Sequence, residues 1–387
     1  MTVGRGVADI AIGAALALAV LSGCASQPVG GPAADQGPGS ATPTGVPKSK
    51  QTTRQAARPQ PATRDYRSAA VTGDFAGDPD VDRFVGRMTT NHGFSREYLA
   101  GVLSQAERKQ WILDQLDRER PTGGPPRPGG WSRYREKFVT DRHISGGVEF
   151  WRENARELDR ASRQYGVPPE YIVGIIGVET VYGRNVGTFR VIDALSTLAF
   201  EYPRRADYFS GELENFLVMA RDQRIDPLSP RGSYAGAMGL GQFMPSSFLK
   251  WAVDFDGDGQ KDLWDSADAI GSVANYFKAH GWHGGQPVVS AAAASGGRAR
   301  MLDAGFDTSY SLSVLASHDI RPASQAAQRD DLRLLRLSTY SGDEYWLGYH
   351  NFYVITRYNH STNYAMAVHQ LAQAIKQRYG GVIVAQR

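Results

Sequence analysis

The sequence predicts a mainly α, α+β protein, on three observations. Apolar residues recur at helical spacing through most of the chain from Asp78 onward. One later stretch, 288–337, alternates in part and is suited to short strands. The first several dozen residues show no such periodicity beyond one short apolar run. With 387 residues and 41% hydrophobic content, the chain can fill one large core or two to three small ones. A net charge of +3, with no run of Lys and Arg, argues against nucleic acid as a partner.

At the N-terminus, Ile10 to Leu21 follow Arg5 as an apolar run too short to span a bilayer. It fits the h-region of a secretory signal. It ends in Leu21-Ser22-Gly23-Cys24, and Cys24 is the only cysteine. The segment resembles a bacterial lipobox, which implies cleavage before Cys24 and acylation of its sulfur and new amino terminus. A fold exported this way must be stable without a disulfide. Several acyl chains hold a protein at a membrane far better than one. Ala25, where an aspartate would favour inner-membrane retention, suggests the periplasmic face of an outer membrane. From Ala25 to about Arg67 the chain is rich in Pro, Gly, Ser, Thr, Ala and Gln and reads as a disordered tether. Residues 1–23 are thus expected to be a signal peptide, 24–75 the anchor and tether, and 76–387 the folded region.

Within that region, Phe84, Val85, Met88 and then Tyr98, Leu99, Val102, Leu103 predict short helices. A Gly/Pro-rich break at Pro121 to Gly130 follows. One helix is expected over Val148 to Tyr165, another over Pro169 to Glu179, and another over Ile192 to Phe200. Phe209, Leu213, Phe216, Leu217 and Ala220 form a helical stripe between Asp207 and Arg221. Helices are also expected over Ser266 to His280 and Thr362 to Tyr379. Strands are expected at Tyr310 to Leu315 and Leu332 to Leu337. The subdivision is 76–130 helical, 131–287 core, 288–340 small β-containing part, and 341–387 C-terminal groove and helix.

Ile172, Ile175, Ile176 and Glu179 fall at i, i+3, i+4 and i+7, so they share one helix face. A carboxylate there is costly to bury ionised, and desolvation keeps it protonated near neutral pH. A protonated carboxyl beside a groove is a candidate general acid. A salt-bridged or solvated helix end is the competing reading.

Asp254-Phe255-Asp256-Gly257-Asp258-Gly259-Gln260-Lys261-Asp262-Leu263-Trp264-Asp265 follows the EF-hand loop pattern. Asp254, Asp256 and Asp258 take its first, third and fifth places, Gly259 the turn, Gln260 the carbonyl position and Asp262 the ninth. Asp265 stands where a bidentate glutamate is usual, so either a water intervenes or Asp268 closes the loop. With a single such loop, a structural calcium clamp is expected rather than a sensor.

The run from Gly232 to Pro245 is dense in small residues but lacks the ending of a phosphate loop. Small residues let backbone approach a ligand, with Ser233 and Gln242 as hydrogen-bonding groups, or else simply pack tightly. The segment Asn351 to Asn359 collects aromatics with polar handles, as sugar grooves do.

Four stretches carry a family resemblance: Gly177-Val178-Glu179-Thr180; Phe200-Glu201-Tyr202-Pro203-Arg204-Arg205-Ala206-Asp207-Tyr208-Phe209; Gly236-Ala237-Met238-Gly239-Leu240-Gly241-Gln242-Phe243-Met244-Pro245-Ser246-Ser247; and Ile355-Thr356-Arg357-Tyr358-Asn359-His360-Ser361. They resemble the membrane-bound lytic murein transglycosylase B family, from roughly Asp80 to Gln386. The resemblance implies a goose-lysozyme-like core, a helical domain and a small β-containing domain. It implies cleavage of the β-1,4 bond between N-acetylmuramic acid and N-acetylglucosamine in peptidoglycan, with Glu179 as the one catalytic carboxylate and no catalytic cofactor. It carries Ser233 over as an orienting group, and Arg204 and Arg205 as groove cations for carboxylates. Tyr134, Tyr208, Gln242, Phe243, Tyr276, Tyr358, Asn359 and Tyr364 carry over as groove-lining positions. It also favours Asp268 as the residue that closes the calcium loop. Peptidoglycan strands and, through the lipid anchor, the outer membrane are the expected partners. A monomer is expected, with room for cell-wall synthesis or division complexes. Two rival readings stand beside this one. A hydrolytic lysozyme would need a second carboxylate, for which Asp193, Glu201 and Asp207 are near in sequence. A silent wall-binding lipoprotein would have no use for a buried acid.

Overall fold

The computed structural model describes residues 65–119, 128–294, 297–323 and 331–385. The signal, Cys24 and most of the expected tether lie outside these. The fold begins earlier than the hydrophobic pattern suggests. Tyr66 donates from its hydroxyl to Asp226 Oδ1 at 2.8 Å. Phe75 is fully buried against Phe200, with ring centroids 5.5 Å apart. Residues 65–75 thus strap the helical body, because a single buried aromatic supplies more burial than the polar residues around it cost.

Helices α1 (Pro79–His92), α2 (Arg96–Leu103) and α3 (Gln110–Arg118) come first. Asp78 caps α1 by accepting from Asp80 N, and Ser95 caps α2 by accepting from Tyr98 N. Next come α4 (Gly130–Phe138), α5 (Asp141–Glu153), α6 (Ala155–Tyr165) and α7 (Pro169–Thr180). The single helix expected over Val148 to Tyr165 is two. Asn154 leaves the helical conformation at φ −114° and turns its side-chain amide back to Phe150 O at 2.9 Å. An asparagine that can bond locally offers the backbone this alternative.

α7 is buried on every side and packs against α5, α6, α11 and α14, so it forms the axis of the molecule. After it come β1 (Phe189–Arg190), α8 (Val191–Glu201), α9 (Ala206–Asp222), β2 (Arg231–Gly232), α10 (Pro245–Trp251) and α11 (Ser266–Ala279). β1 and β2 make a two-residue antiparallel ribbon, with Phe189 opposite Gly232.

The smaller part contains β3 (Val289–Ala294), α12 (Leu312–Ser317), β4 (Ile320–Pro322), β5 (Arg333–Thr339) and β6 (Gly342–Gly348). Its antiparallel sheet runs β4-β3-β6-β5. It closes a second core of Ala299, Leu315, Ile320, Leu332, Leu334, Leu347 and Tyr349. The strand expected at Leu332 to Leu337 is β5. The one expected at Tyr310 to Leu315 is instead mostly α12, because Ser311 caps a helix by accepting from Val314 N. The chain ends in α13 (His350–Tyr358) and α14 (Thr362–Ala385), and α14 returns to pack along α7, α5 and α4. No helix among the described residues is long and apolar enough to cross a membrane.

Candidate active site

Glu179 lies in the last turn of α7 and is 7% exposed. The helix ends there because Val181 and Tyr182 both take positive φ, 50° and 61°. A β-branched residue in that region is a genuine outlier, of the kind that clusters at functional sites. Packing holds it in place. The Tyr182 hydroxyl donates to His143 O at 2.7 Å, and its ring lies so close to Gly147 and Gly177 that a Cβ on either would collide with it. Thr180 then donates from Oγ1 to Leu240 O at 2.9 Å and ties the helix end to the glycine-rich 236–244 turn. That turn brings distant Ser233 and Gln242 to the acid.

A cavity of about 390 Å³ opens over this junction, a size suited to a ligand. Glu179, Ser233 and Gln242 line it together, and Glu179 is the only carboxylate among the described lining residues. Burial pushes its carboxyl up to about 7, against the lowering effect of the Tyr364 hydroxyl, which donates to Oε1 at 2.6 Å. The acid therefore keeps its proton up to about pH 7, well above the range of an ordinary carboxyl. Tyr134 shares this environment: the charge of Glu179 adds to burial in raising its phenol, and its buried hydroxyl has no hydrogen-bond partner among the described residues.

The two lining polar groups, Ser233 and Gln242, are tied into their own turn, and other anticipated side chains stand behind the site. Ser233 Oγ accepts from Ala237 N at 3.0 Å and holds its own turn. Gln242, at φ 51°, donates to Gly239 O and Val186 O. Phe243, Tyr276 and Tyr358 form an aromatic cluster. The Tyr276 and Tyr358 hydroxyls donate to Arg357 O and Gly241 O, and Asn359 is buried. Arg204, Arg205 and Tyr208 do not line the cavity. Arg205 lies over the Tyr208 ring at 4.5 Å. The cations that do line it are Lys137, Arg142 and Arg184, which the sequence reading missed. It also missed an aromatic wall. The Trp111 and Phe189 rings stack at 5.4 Å, and Tyr234 meets Trp111 edge-on at 5.8 Å. Trp111 is 42% exposed, an unusual position for a large indole, and no spacing in the sequence marks it.

None of the carboxylates near in sequence reaches the cavity. Asp193 is buried in an ion pair with Arg190 at 2.8 Å, Glu201 pairs with Arg108, and Asp207 is exposed.

Some distance along the chain, Asp254, Asp256 and Asp268 place carboxylate oxygens within 4.8 Å of one another. Asp268 is fully buried and accepts from Phe255 N and Asp256 N on one oxygen and from Asp262 N on the other. Asp265 instead caps α11 by accepting from Ala267 N at 2.7 Å. Asp258 and Asp262 accept from Gln260 N and Trp264 N and so shape the loop.

Exchanging Tyr364 for Phe removes the donor that favours the ionised form of Glu179, so the pKa of the acid rises further. The alkaline limb of a pH–rate profile should move upward, with kcat/KM about tenfold lower. An unmoved limb would mean that the Tyr364 bond does not tune the acid.

The fold and this site, a buried protonated carboxyl over an aromatic-walled cavity, define a lysozyme-like glycan-cleaving protein. Residues 76–373 match the Transglycosylase SLT domain family, and the chain belongs to it. It is 54% identical over 307 residues to the membrane-bound lytic murein transglycosylase B of Escherichia coli K12, covering 78% of this chain and 84% of that protein. The Escherichia coli lytic transglycosylase SLT35, solved with bulgecin A and with calcium, superposes with a TM-score of 0.75 at 52% identity, over 80% of this chain and 96% of that one. SltB3 of Pseudomonas aeruginosa, solved with NAG-anhNAM-pentapeptide, gives 0.68 at 30% identity, over 76% and 78%. The protein is a lytic transglycosylase of peptidoglycan.

Proposed function

We propose that Glu179 cleaves the bond between N-acetylmuramic acid and N-acetylglucosamine alone, as acid and then as base. Its proton goes to the glycosidic oxygen, and N-acetylglucosamine leaves with that oxygen as a hydroxyl. The muramyl 2-acetamido oxygen bonds to C1 and carries the charge that develops there. The ionised Glu179 then takes the proton of the C6 hydroxyl, whose oxygen attacks C1 and displaces the acetamido group. The product is a 1,6-anhydro sugar, and no water is consumed. Most glycosidases use two carboxylates, and substrate assistance is the exception that needs one. The observation carrying this reading is that Glu179 is buried, with burial pushing its carboxyl up to about 7, and has no second carboxylate in its cavity among the described residues. Lys137, Arg142 and Arg184 suit the lactyl or peptide carboxylates of the muramyl unit. Tyr134, with its unpartnered hydroxyl, suits a sugar hydroxyl or amide.

Mass spectrometry of the products released from sacculi tests this. Soluble fragments ending in 1,6-anhydro-muramic acid are expected. Products one water heavier would instead establish hydrolysis.

The 254–268 loop is read as an EF-hand-like site for a structural Ca2+. Three clustered carboxylates are a hard-oxygen donor set of the kind that ion takes, and a relative was solved with calcium. Calcium should raise the melting temperature and a chelator should lower it, and Asp254→Ala should abolish the difference. A melting temperature indifferent to both in the unmutated chain would remove the ion from this reading. The Cys24 lipid anchor at an outer membrane facing the periplasm is supported by the lipobox pattern and by a relative described as membrane-bound.

A further inference from the structure

A second cavity lies apart from the one over Glu179. It is a space of about 710 Å³ between α4, α14 and the β5–β6 hairpin. The hairpin is fastened to α4 at three points: Ser338 Oγ accepts from Gly129 N, Ser132 Oγ accepts from Tyr340 N, and the Tyr340 hydroxyl donates to Glu136.

Helix α14 presents Gln370, Gln373 and Gln377 to this space at i, i+3 and i+7, one face of the helix. Gln370 Oε1 accepts from Arg135 Nε at 2.6 Å, and its NH2 has no partner among the described residues. Gln373 donates to the Tyr171 hydroxyl at 3.3 Å, which leaves its carbonyl oxygen. Gln377 makes no side-chain hydrogen bond among the described residues. The Tyr171 hydroxyl in turn meets His369 Nδ1 at 2.9 Å. Burial holds the His369 ring pKa down at about 4, so it is neutral. Opposite stand the half-buried indole of Trp346 and the edge of Trp131, which is otherwise packed into the core, and Glu344 shares a strand face with Trp346.

Amide donors and acceptors, a neutral imidazole and indole surface, with one charge of each sign, match a neutral ring bearing hydroxyl and acetamido groups. With Arg135 as the one cation and Glu344 as the one anion among the described lining residues, the site is ill suited to a polyanion. Both cavities are built on the same helices. α4 turns Lys137 and Phe138 to the catalytic cavity and Trp131 and Arg135 to this one. α14 carries Tyr364 on Glu179 and the glutamine row here, and α7 carries both Tyr171 and Glu179.

We propose that this cavity is a second carbohydrate site, which holds an N-acetylated amino-sugar stretch of the glycan strand away from the bond being cut. This rests on the reading of peptidoglycan as the substrate.

The direct test is hydrogen exchange of the full-length Glu179→Gln chain with and without chitohexaose, a peptide-free N-acetylglucosamine hexamer. Protection of 338–346 is expected in addition to that of 177–189 and 233–243. Protection confined to the latter two segments, or none at all, overturns the second site. In kinetics, the Gln370→Ala/Gln377→Ala double variant should raise KM on intact sacculi about threefold or more. Its kcat/KM on a short muropeptide tetrasaccharide should equal that of the unmutated enzyme. An equal loss on both substrates, or no loss on sacculi, also overturns the proposal. A failure of the catalytic reading is seen separately, as the absence of anhydro products from the unmutated enzyme.

Discussion

Exchanging Glu179 for Gln should abolish product release from sacculi, with kcat lower by about a thousandfold or more. The size follows from the two roles placed on one carboxyl, since the amide can neither give the proton nor take it back. Binding should survive, because the exchange is isosteric and the cavity walls come from other segments. A sacculus pull-down with product analysis on the same sample reads both. Retained release at more than a few per cent of the original rate would move the catalytic role elsewhere.

The same variant has a signature in stability. The folded carboxyl titrates at about 7, above the ordinary value of 4.5. The folded state thus holds a proton between those values that the unfolded chain has released. The stability this confers is full below about pH 4.5 and is lost as pH rises to about 7. The loss amounts to about 3 kcal/mol at 1.36 kcal/mol per unit. Urea unfolding across this range should show the slope in the unmutated chain and lack it in Glu179→Gln. Activity should fall on the alkaline side of about pH 7, where the acid has already lost its proton.

Asp268→Ala should damage the fold severely although it lies outside the site. It leaves three N–H groups, on buried Phe255, exposed Asp256 and half-buried Asp262, without their acceptor. At about 1–3 kcal/mol for each unsatisfied donor, the loss is on the order of 3–5 kcal/mol once water reaches the loop. In a chain of this size that lowers the melting temperature by about 10 °C. The melt should be run in chelator, so that any ion is absent from both samples. Asp265→Ala is the contrasting control and should cost only about 1 kcal/mol, because that side chain caps a helix. Equal losses for the two would mean that Asp268 does not organise the loop.

Local pattern was enough to place Glu179 on an apolar helix, because burial of α7 is written in one contiguous run of sequence. The aspartate loop was legible for the same reason: its residues are neighbours in the chain. Most helices followed from the 3.6-residue period, and β5 from partial alternation. Where a single polar residue could redirect the backbone, as Asn154 and Ser311 do, the period misled, since local side-chain bonds compete with the periodic pattern. The sequence by itself therefore determined the mainly helical class, the family and the candidate acid. Only the tertiary structure decided what surrounds that acid. Trp111, Lys137, Arg184, Phe189 and Tyr234 come from separate segments and carry no shared spacing. They meet because Thr180 anchors to Leu240 and because α14 folds back onto α7 to bring Tyr364 to the carboxyl. The desolvation that holds the proton on Glu179 is a property of that assembly, since it depends on how much water the packed walls exclude.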